Sequence, residues 1–168
     1  MIKILLSSFL IVFFYTPFGI FFERLKNNSS FSLQLLYATI VLSFIALTLN
    51  FLTPLNKLAS TIILIFSLII LYKNKELYFS RKYLKFCLIS SIIIFLYIAC
   101  SNVYRPDAGL YHLPYIDILN NEKIIFGLSN IHFRFAHTSI IQYLSAISNN
   151  YLIGTNGIVY PAALIGAL

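Results

Sequence analysis

Between Tyr104 and His137 the chain gathers most of its reactive side chains: all three histidines (His112, His132, His137), three of the five acids (Asp107, Asp117, Glu122) and the arginines Arg105 and Arg134. A carboxylate, imidazoles and guanidinium groups in one short stretch suit acid–base chemistry on an anionic substrate. Each residue also has a plainer use. Asp107, between Pro106 and Ala108-Gly109, suits a helix N-cap. Arg134 suits lipid headgroups, and Tyr111 and Tyr115 suit interfacial packing. His132 and His137, five positions apart, do not share a helical face, so the sequence offers no helix-borne metal pair.

The elements that must position these groups follow from the pattern RPDAGLYHLPYIDILNNEKIIFGLSNIHFRFAHTSIIQYLSAISNNYL. Tyr115 to Leu119 reads as a short amphipathic helix opened by Pro114, a residue suited to the first helical position. Thr138 to Leu152 reads as a second helix, with Ile140, Ile141, Leu144, Ile147 and Tyr151 on one face. Both are expected to lie on a membrane surface, joined by a loop too long for a passive connection.

The solvent of the rest is apolar. Hydrophobic residues make up 60% of the 168 and charged residues only 10%, where a soluble domain carries about 25% charged residues. A span needs about 20 apolar residues, and windows free of ionisable side chains run from Ile4 to Phe22, Phe31 to Asn56, Leu58 to Tyr72 and Phe86 to Tyr104. The expected fold is all-α, a polytopic transmembrane bundle. Four membrane helices (about 4–22, 31–52, 56–72 and 86–103) make up residues 1–103, followed by an external loop at 104–155 with surface helices. Residues 156–168 read as the start of a fifth membrane helix, too short to span, so the sequence is expected to be the N-terminal part of a longer protein. Lys3 ahead of an apolar run resembles a signal peptide, but YTPFG lacks a small-x-small cleavage site, and the first segment is read as a retained helix.

Charge gives the direction. Lys73, Lys75, Arg81, Lys82 and Lys85 crowd one loop, which the positive-inside rule makes cytoplasmic, leaving 104–155 external. The net charge of +7 is thereby assigned to topology rather than to nucleic acid, and no nucleotide-binding loop appears. Tyr15, Tyr72, Tyr78, Tyr83 and Tyr104 lie near helix ends and read as interfacial anchors. Cys87 and Cys100, about 20 Å apart along one helix, cannot pair within a disulfide's reach of about 7 Å. Ser90 with Ser91, Ala38 with Leu42, and Gly154 with Gly157 are candidate points of close helix approach.

The stretch DAGLYHLPYIDILNNEKIIFGLSNIHFRFAHTS resembles a conserved segment of uncharacterised bacterial multi-pass membrane proteins. There an Asp-x-Gly-Leu-Tyr-His motif precedes a short helix and a Gly-Leu-x-Asn-x-His-x-Arg motif. Those proteins in turn resemble, more distantly, the GT-C glycosyltransferases that use polyprenyl-phosphate sugars. The resemblance implies a bacterial cytoplasmic membrane enzyme moving a sugar from a polyprenyl phosphate to an acceptor on the outer face. Asp107 would be its catalytic base, and Arg105, Tyr111, His112, His132 and Arg134 its substrate-binding residues. GT-C enzymes often carry a second acid beside the Asp that ligates a divalent cation; here that place is Ala108, which weakens a metal site. One carboxylate suffices, because a lipid phosphate leaves without protonation and only the acceptor's proton must be removed.

Other functions compete. A transporter or flippase would be expected to place ionisable groups inside the membrane, and these windows hold none. A surface-polysaccharide polymerase would also use an external loop, expected later in the chain and richer in arginine. A nonfunctional fragment is the remaining reading, and residues 1–168 alone are expected to be inactive.

Overall fold

A computed structural model describes residues 1–20, 30–101, 108–136 and 139–167. Its main elements are α1 (Ile2–Tyr15), α2 (Phe31–Leu52), α3 (Lys57–Lys73), α4 (Arg81–Cys100), α5 (Leu113–Asn121), α6 (Ile140–Ile147) and α7 (Tyr160–Ala167). Among the described residues there is no strand, and the fold is all-α.

Helix starts follow from side chains able to satisfy the first unpaired backbone amides. Ser30 accepts from Leu33 N, Asn56 from Ala59 N and Ser80 from Tyr83 N. Pro54, with Asn56 as the new cap, separates α2 from α3. Polar side chains within the long helices turn back on their own backbones: Ser8 donates to the Ile4 carbonyl, Thr16 to Val12, Ser43 to Thr39 and Ser91 to Leu88. That habit lets a hydroxyl sit in an apolar medium without an orphaned group.

Three segments are long and apolar enough to cross a membrane: Ile2–Gly19, which continues α1 through a 3-10 turn, Phe31–Leu52 and Arg81–Cys100. At 17 residues α3 is shorter, about 25 Å at the α-helical rise. Small and polar residues gather on the inward faces among larger apolar ones, while the outward faces carry large apolar side chains. On α3, Ser60, Ile63, Leu64, Ser67 and Leu71 are buried, whereas Ile62, Ile65, Phe66, Leu68 and Ile69 are exposed. On α2 the buried stripe includes Ala38, Thr39, Leu42, Ser43 and Ala46. Helices in lipid pack through small residues in this way, because lipid gives apolar side chains no reason to hide.

The four long helices alternate in direction. The end of α1 meets the start of α2, the later half of α3 and the start of α4: Ser67 Oγ donates to the Phe14 carbonyl, Tyr83 Oη donates to the Phe13 carbonyl at 2.8 Å, and Tyr78 Oη donates to Gln34 Oε1 at 3.4 Å. This is the basic end of the bundle, where Lys73 to Lys85 cluster. At the opposite end α5 is stitched to the α2–α3 connection, with Leu55 N donating to the Leu119 carbonyl at 2.8 Å and Ile124 N to the Asn50 carbonyl at 3.0 Å.

The structure corrects two expectations. Tyr15, Tyr78 and Tyr83 are not interfacial anchors but fully buried, because each hydroxyl reaches an acceptor inside the bundle. Tyr72 is 77% exposed, and Tyr104 lies outside the described residues. The second correction concerns the helix expected from Thr138 to Leu152 on a surface. It runs only from Ile140 to Ile147, and everything from Gln142 to Asn150 is buried. It packs among α2, α5 and α7 because its polar residues find partners there, Ser148 Oγ above all, 2.7 Å from Tyr15 Oη.

Of the candidate close-approach sites, Ala38, Leu42 and Ser91 are buried, and a Cβ on Gly157 would strike the Ser148 carbonyl. Gly154 instead serves a left-handed turn, φ +75°. A comparably tight approach, unmarked in the sequence, is Gly19, where any Cβ would fall on the Gln34 carbonyl. Gly19→Ala is therefore expected to cost about 1–3 kcal/mol and lower the unfolding midpoint in detergent. Gly109→Ala, which has open space around it, is expected to leave that midpoint nearly unchanged.

Candidate functional site

The candidate site is assembled where α5 and α6 begin. Ala108–His112 forms a wide π-helical turn that runs directly into α5, with Pro114 in the first turn. Such turns add a residue to the helical circuit and re-aim the side chains they carry. Along α5 the buried positions are Tyr115, Ile116, Leu119 and Asn120, a stripe spaced to face one neighbour. That neighbour is α6. Tyr115 Oη lies 3.1 Å from Tyr143 Oη, and Asn120 Nδ2 donates to the Ala146 carbonyl at 3.3 Å. Burial, and then the bond with Tyr115, hold the Tyr143 phenol above the usual tyrosine range, so it stays protonated as a hydrogen-bonding strut.

Gln142 joins the two helices at their starts. It completes a capping box at the head of α6: Ser139 Oγ accepts from Ile141 N at 3.3 Å while Gln142 Oε1 accepts from Ser139 N at 3.0 Å. A backbone amide can only donate, which fixes Oε1 as the oxygen and leaves Nε2 as a donor. Nε2 lies 2.9 Å from His112 Nδ1. His112 Nδ1 must then carry the lone pair, and the neutral ring presents its proton at Nε2.

The connecting segment packs against the neighbouring Tyr111 and Tyr115. Gly127 takes a left-handed conformation, φ +83°, and two 3-10 turns follow at Leu128–Asn130 and Phe133–Ala136. Arg134 N donates to His132 Nδ1 at 3.3 Å. The His132 ring stacks on Phe133 and lies 5.6 Å from Phe135, which in turn packs on Tyr115. The Arg134 guanidinium sits 5.2 Å from the Tyr111 ring centroid, within cation–π range. Tyr111 also lies beside His112, 4.2 Å between ring centroids.

The structure thus brings Tyr111, His112, His132 and Arg134 into one cluster. Arg105 and Asp107, and with them His137, lie outside the described residues. Asp117 and Glu122 do not join: both are exposed, and Asp117 is engaged by Asn121 Nδ2. Among the described residues no group of three or more His, Cys, Asp or Glu could hold a metal ion. Sequence reasoning missed Gln142 and Tyr143. The signal for Gln142 was present in Ser139-Ile-Ile-Gln142, the capping-box spacing.

Fold and cluster define a class: a helical protein with membrane-length segments and a cationic, imidazole-bearing site at the bundle end away from its basic loop. Residues 1–166 match the model of a family described as a domain of unknown function (DUF8201), and the chain belongs to that family. No curated protein and no solved structure matches it.

Nitrogen-15 NMR of the His112 ring tests the role of Gln142 directly. The wild-type protein is expected to show the Nε2–H tautomer. Gln142→Glu can still accept from Ser139 N, but it also turns the group facing Nδ1 into an acceptor, so the tautomer is expected to reverse to Nδ1–H with helix content unchanged.

Proposed function

We propose that the protein is a membrane glycosyltransferase of GT-C type, transferring a sugar from a polyprenyl phosphate to an acceptor on the outer face of the bacterial cytoplasmic membrane. The observation that carries this reading is the convergence of Arg134 and His112 on the Tyr111 ring. A guanidinium and an imidazole thereby lie against the same aromatic ring, in a chain whose long helices carry large exposed apolar side chains. A lipid-linked phosphate presents that combination, an anionic head on an apolar tail.

In the proposed step the bond between the sugar's anomeric carbon and the phosphate oxygen breaks, and its electron pair leaves with the phosphate. The acceptor oxygen forms the new bond to the anomeric carbon, and its proton passes to Asp107, which immediately precedes the π turn. Arg134, through its forked donors, and His112, through Nε2–H, stabilise the charge on the departing phosphate. Arg105 and His132 complete the binding of the donor's head. No second carboxylate is required, and a divalent cation is not needed for charge balance once the arginines are in place. In this topology residues 73–85 are cytoplasmic and 104–155 external, so the basic loop and the site lie on opposite sides of the bilayer.

Transfer of a radiolabelled sugar from a polyprenyl-phosphate donor, measured on the intact protein in membranes, tests the reading. Asp107→Asn is expected to abolish transfer. Arg134→Ala is expected to lower the rate by about 10²–10³, the usual cost of losing one charge-stabilising donor, with Arg134→Lys recovering part. Full transfer by Asp107→Asn would remove the catalytic assignment.

A further inference from the structure

At the far end of α5 from Tyr111, about 12 Å along the helix, lies a second concavity that plays no part in the proposed transfer chemistry. It is an open-mouthed cavity of about 500 Å³ lined by Lys57, Asp117, Asn120, Asn121, Asn149 and Tyr151, among others. We propose that it binds a neutral polyhydroxylated ligand, a saccharide.

Lys57 and Asp117 both line this space, so an anion would be opposed by Asp117 and a cation by Lys57. A hydroxyl donates and accepts, and can satisfy both. The amides extend that match, since each offers a donor and an acceptor. Asn121 Nδ2 is held by the Asp117 carbonyl and carboxylate, which turns its amide oxygen and the second Asp117 oxygen to other partners.

The hydrogen-bond inventory points the same way. Buried polar atoms are nearly always paired, yet Asn149 Oδ1, Asn50 Oδ1 and Ser60 Oγ are buried without a partner. Of these only Asn149 lines the cavity; Asn50, which donates through Nδ2 to the Glu122 carbonyl, and Ser60, in the first turn of α3, do not. Asn149 is 9% exposed, and its Nδ2 is already committed to Asn120 Oδ1. The unpaired Asn149 Oδ1 is an acceptor that a hydroxyl-bearing ligand or water can satisfy.

Tyr151 supplies the remaining feature of a sugar site. Its side chain is 70% exposed although its backbone N is fixed to α3 by Thr61 Oγ1 at 3.3 Å. An aromatic ring held at the rim by its backbone offers a flat apolar surface to the C–H face of a pyranose, while the amides opposite take the hydroxyls.

The binding claim stands apart from the transfer reading, and the experiment keeps them apart. The probe is methyl α-glucopyranoside, observed by saturation-transfer NMR with the intact protein in lipid nanodiscs. Saturation of the ring protons is expected in the wild type. A fall of about fivefold or more is expected in Asp117→Ala with Asn121→Ala, the scale of losing one or two net hydrogen bonds, and a comparable fall in Tyr151→Ala. These residues are exposed, so the variants are expected to fold, which their circular dichroism spectra check. Arg134→Ala, which acts on the transfer site, is expected to leave saturation unchanged, as is an excess of inorganic phosphate. Absence of saturation, equal saturation in the folded double variant, or displacement by phosphate would each overturn the assignment, the last in favour of an anion site at Lys57.

Discussion

The hydrogen bond between Tyr15 and Ser148, 2.7 Å between hydroxyl oxygens, ties the last turn of the first helix to a residue far along the chain, in surroundings where neither hydroxyl has water to fall back on. Its net worth is modest, about 1 kcal/mol, but without it the Tyr15 hydroxyl would bear its full desolvation cost, whereas Ser148 Oγ keeps its donation to the Leu144 carbonyl at 2.8 Å. That asymmetry determines where α6 goes. With Ser148 anchored against α1, the eight residues of α6 run within the bundle rather than over it, and their start delivers Gln142 and Tyr143 to α5. Tyr143 then meets Tyr115, and Gln142 meets His112. The site's geometry is downstream of one buried polar contact.

The same economy runs through the rest of the fold. Long helices rich in Ile, Leu and Phe cannot specify which neighbours they touch in an apolar medium, since every such face is equally content with lipid. Specificity comes from the few groups that cannot tolerate lipid. Tyr83 finds the Phe13 carbonyl, Tyr78 finds Gln34, Ser67 finds the Phe14 carbonyl, and Gly19 opens the room for α1 to approach α2. These contacts set the basic end. At the other end Asn50, Leu55 and Ile124 bind α5 to the α2–α3 connection, and that rigid platform is what allows His112 and Arg134 to hold fixed positions around Tyr111.

Much of this architecture was legible in the sequence. Hydropathy located the long helices, because burial in lipid is a property of the segment alone, and Pro114 marked the start of α5 by its fixed backbone angle and missing amide. Clustering of Tyr111, His112, His132 and Arg134 was likewise foreseeable from their crowding in an otherwise silent chain. What could not be read were the partners. Tyr15, Tyr78 and Tyr83 look like interfacial anchors until their acceptors are known, and those acceptors lie tens of residues away. Ser148-Asn149-Asn150 reads as the continuation of a surface helix to Leu152, yet it is buried because Tyr15, Asn120 and the neighbouring backbone receive it. Gln142 carried a readable capping signal for α6, but its second bond, to His112, depends on the docking of two helices that no local pattern encodes.

The proposed topology puts the basic loop and the Tyr111–His112–Arg134 cluster on opposite sides of a membrane, with the cluster facing outward. Cysteine accessibility in intact cells measures this most directly. Cys87, which is buried, and Cys100 are replaced by Ala and Ser, and single cysteines are introduced at Ser129 and Lys75, both exposed. The account predicts that a membrane-impermeant maleimide labels Ser129→Cys in intact cells and Lys75→Cys only after permeabilisation. Labelling of both from the same side, or the reverse pattern, would contradict it.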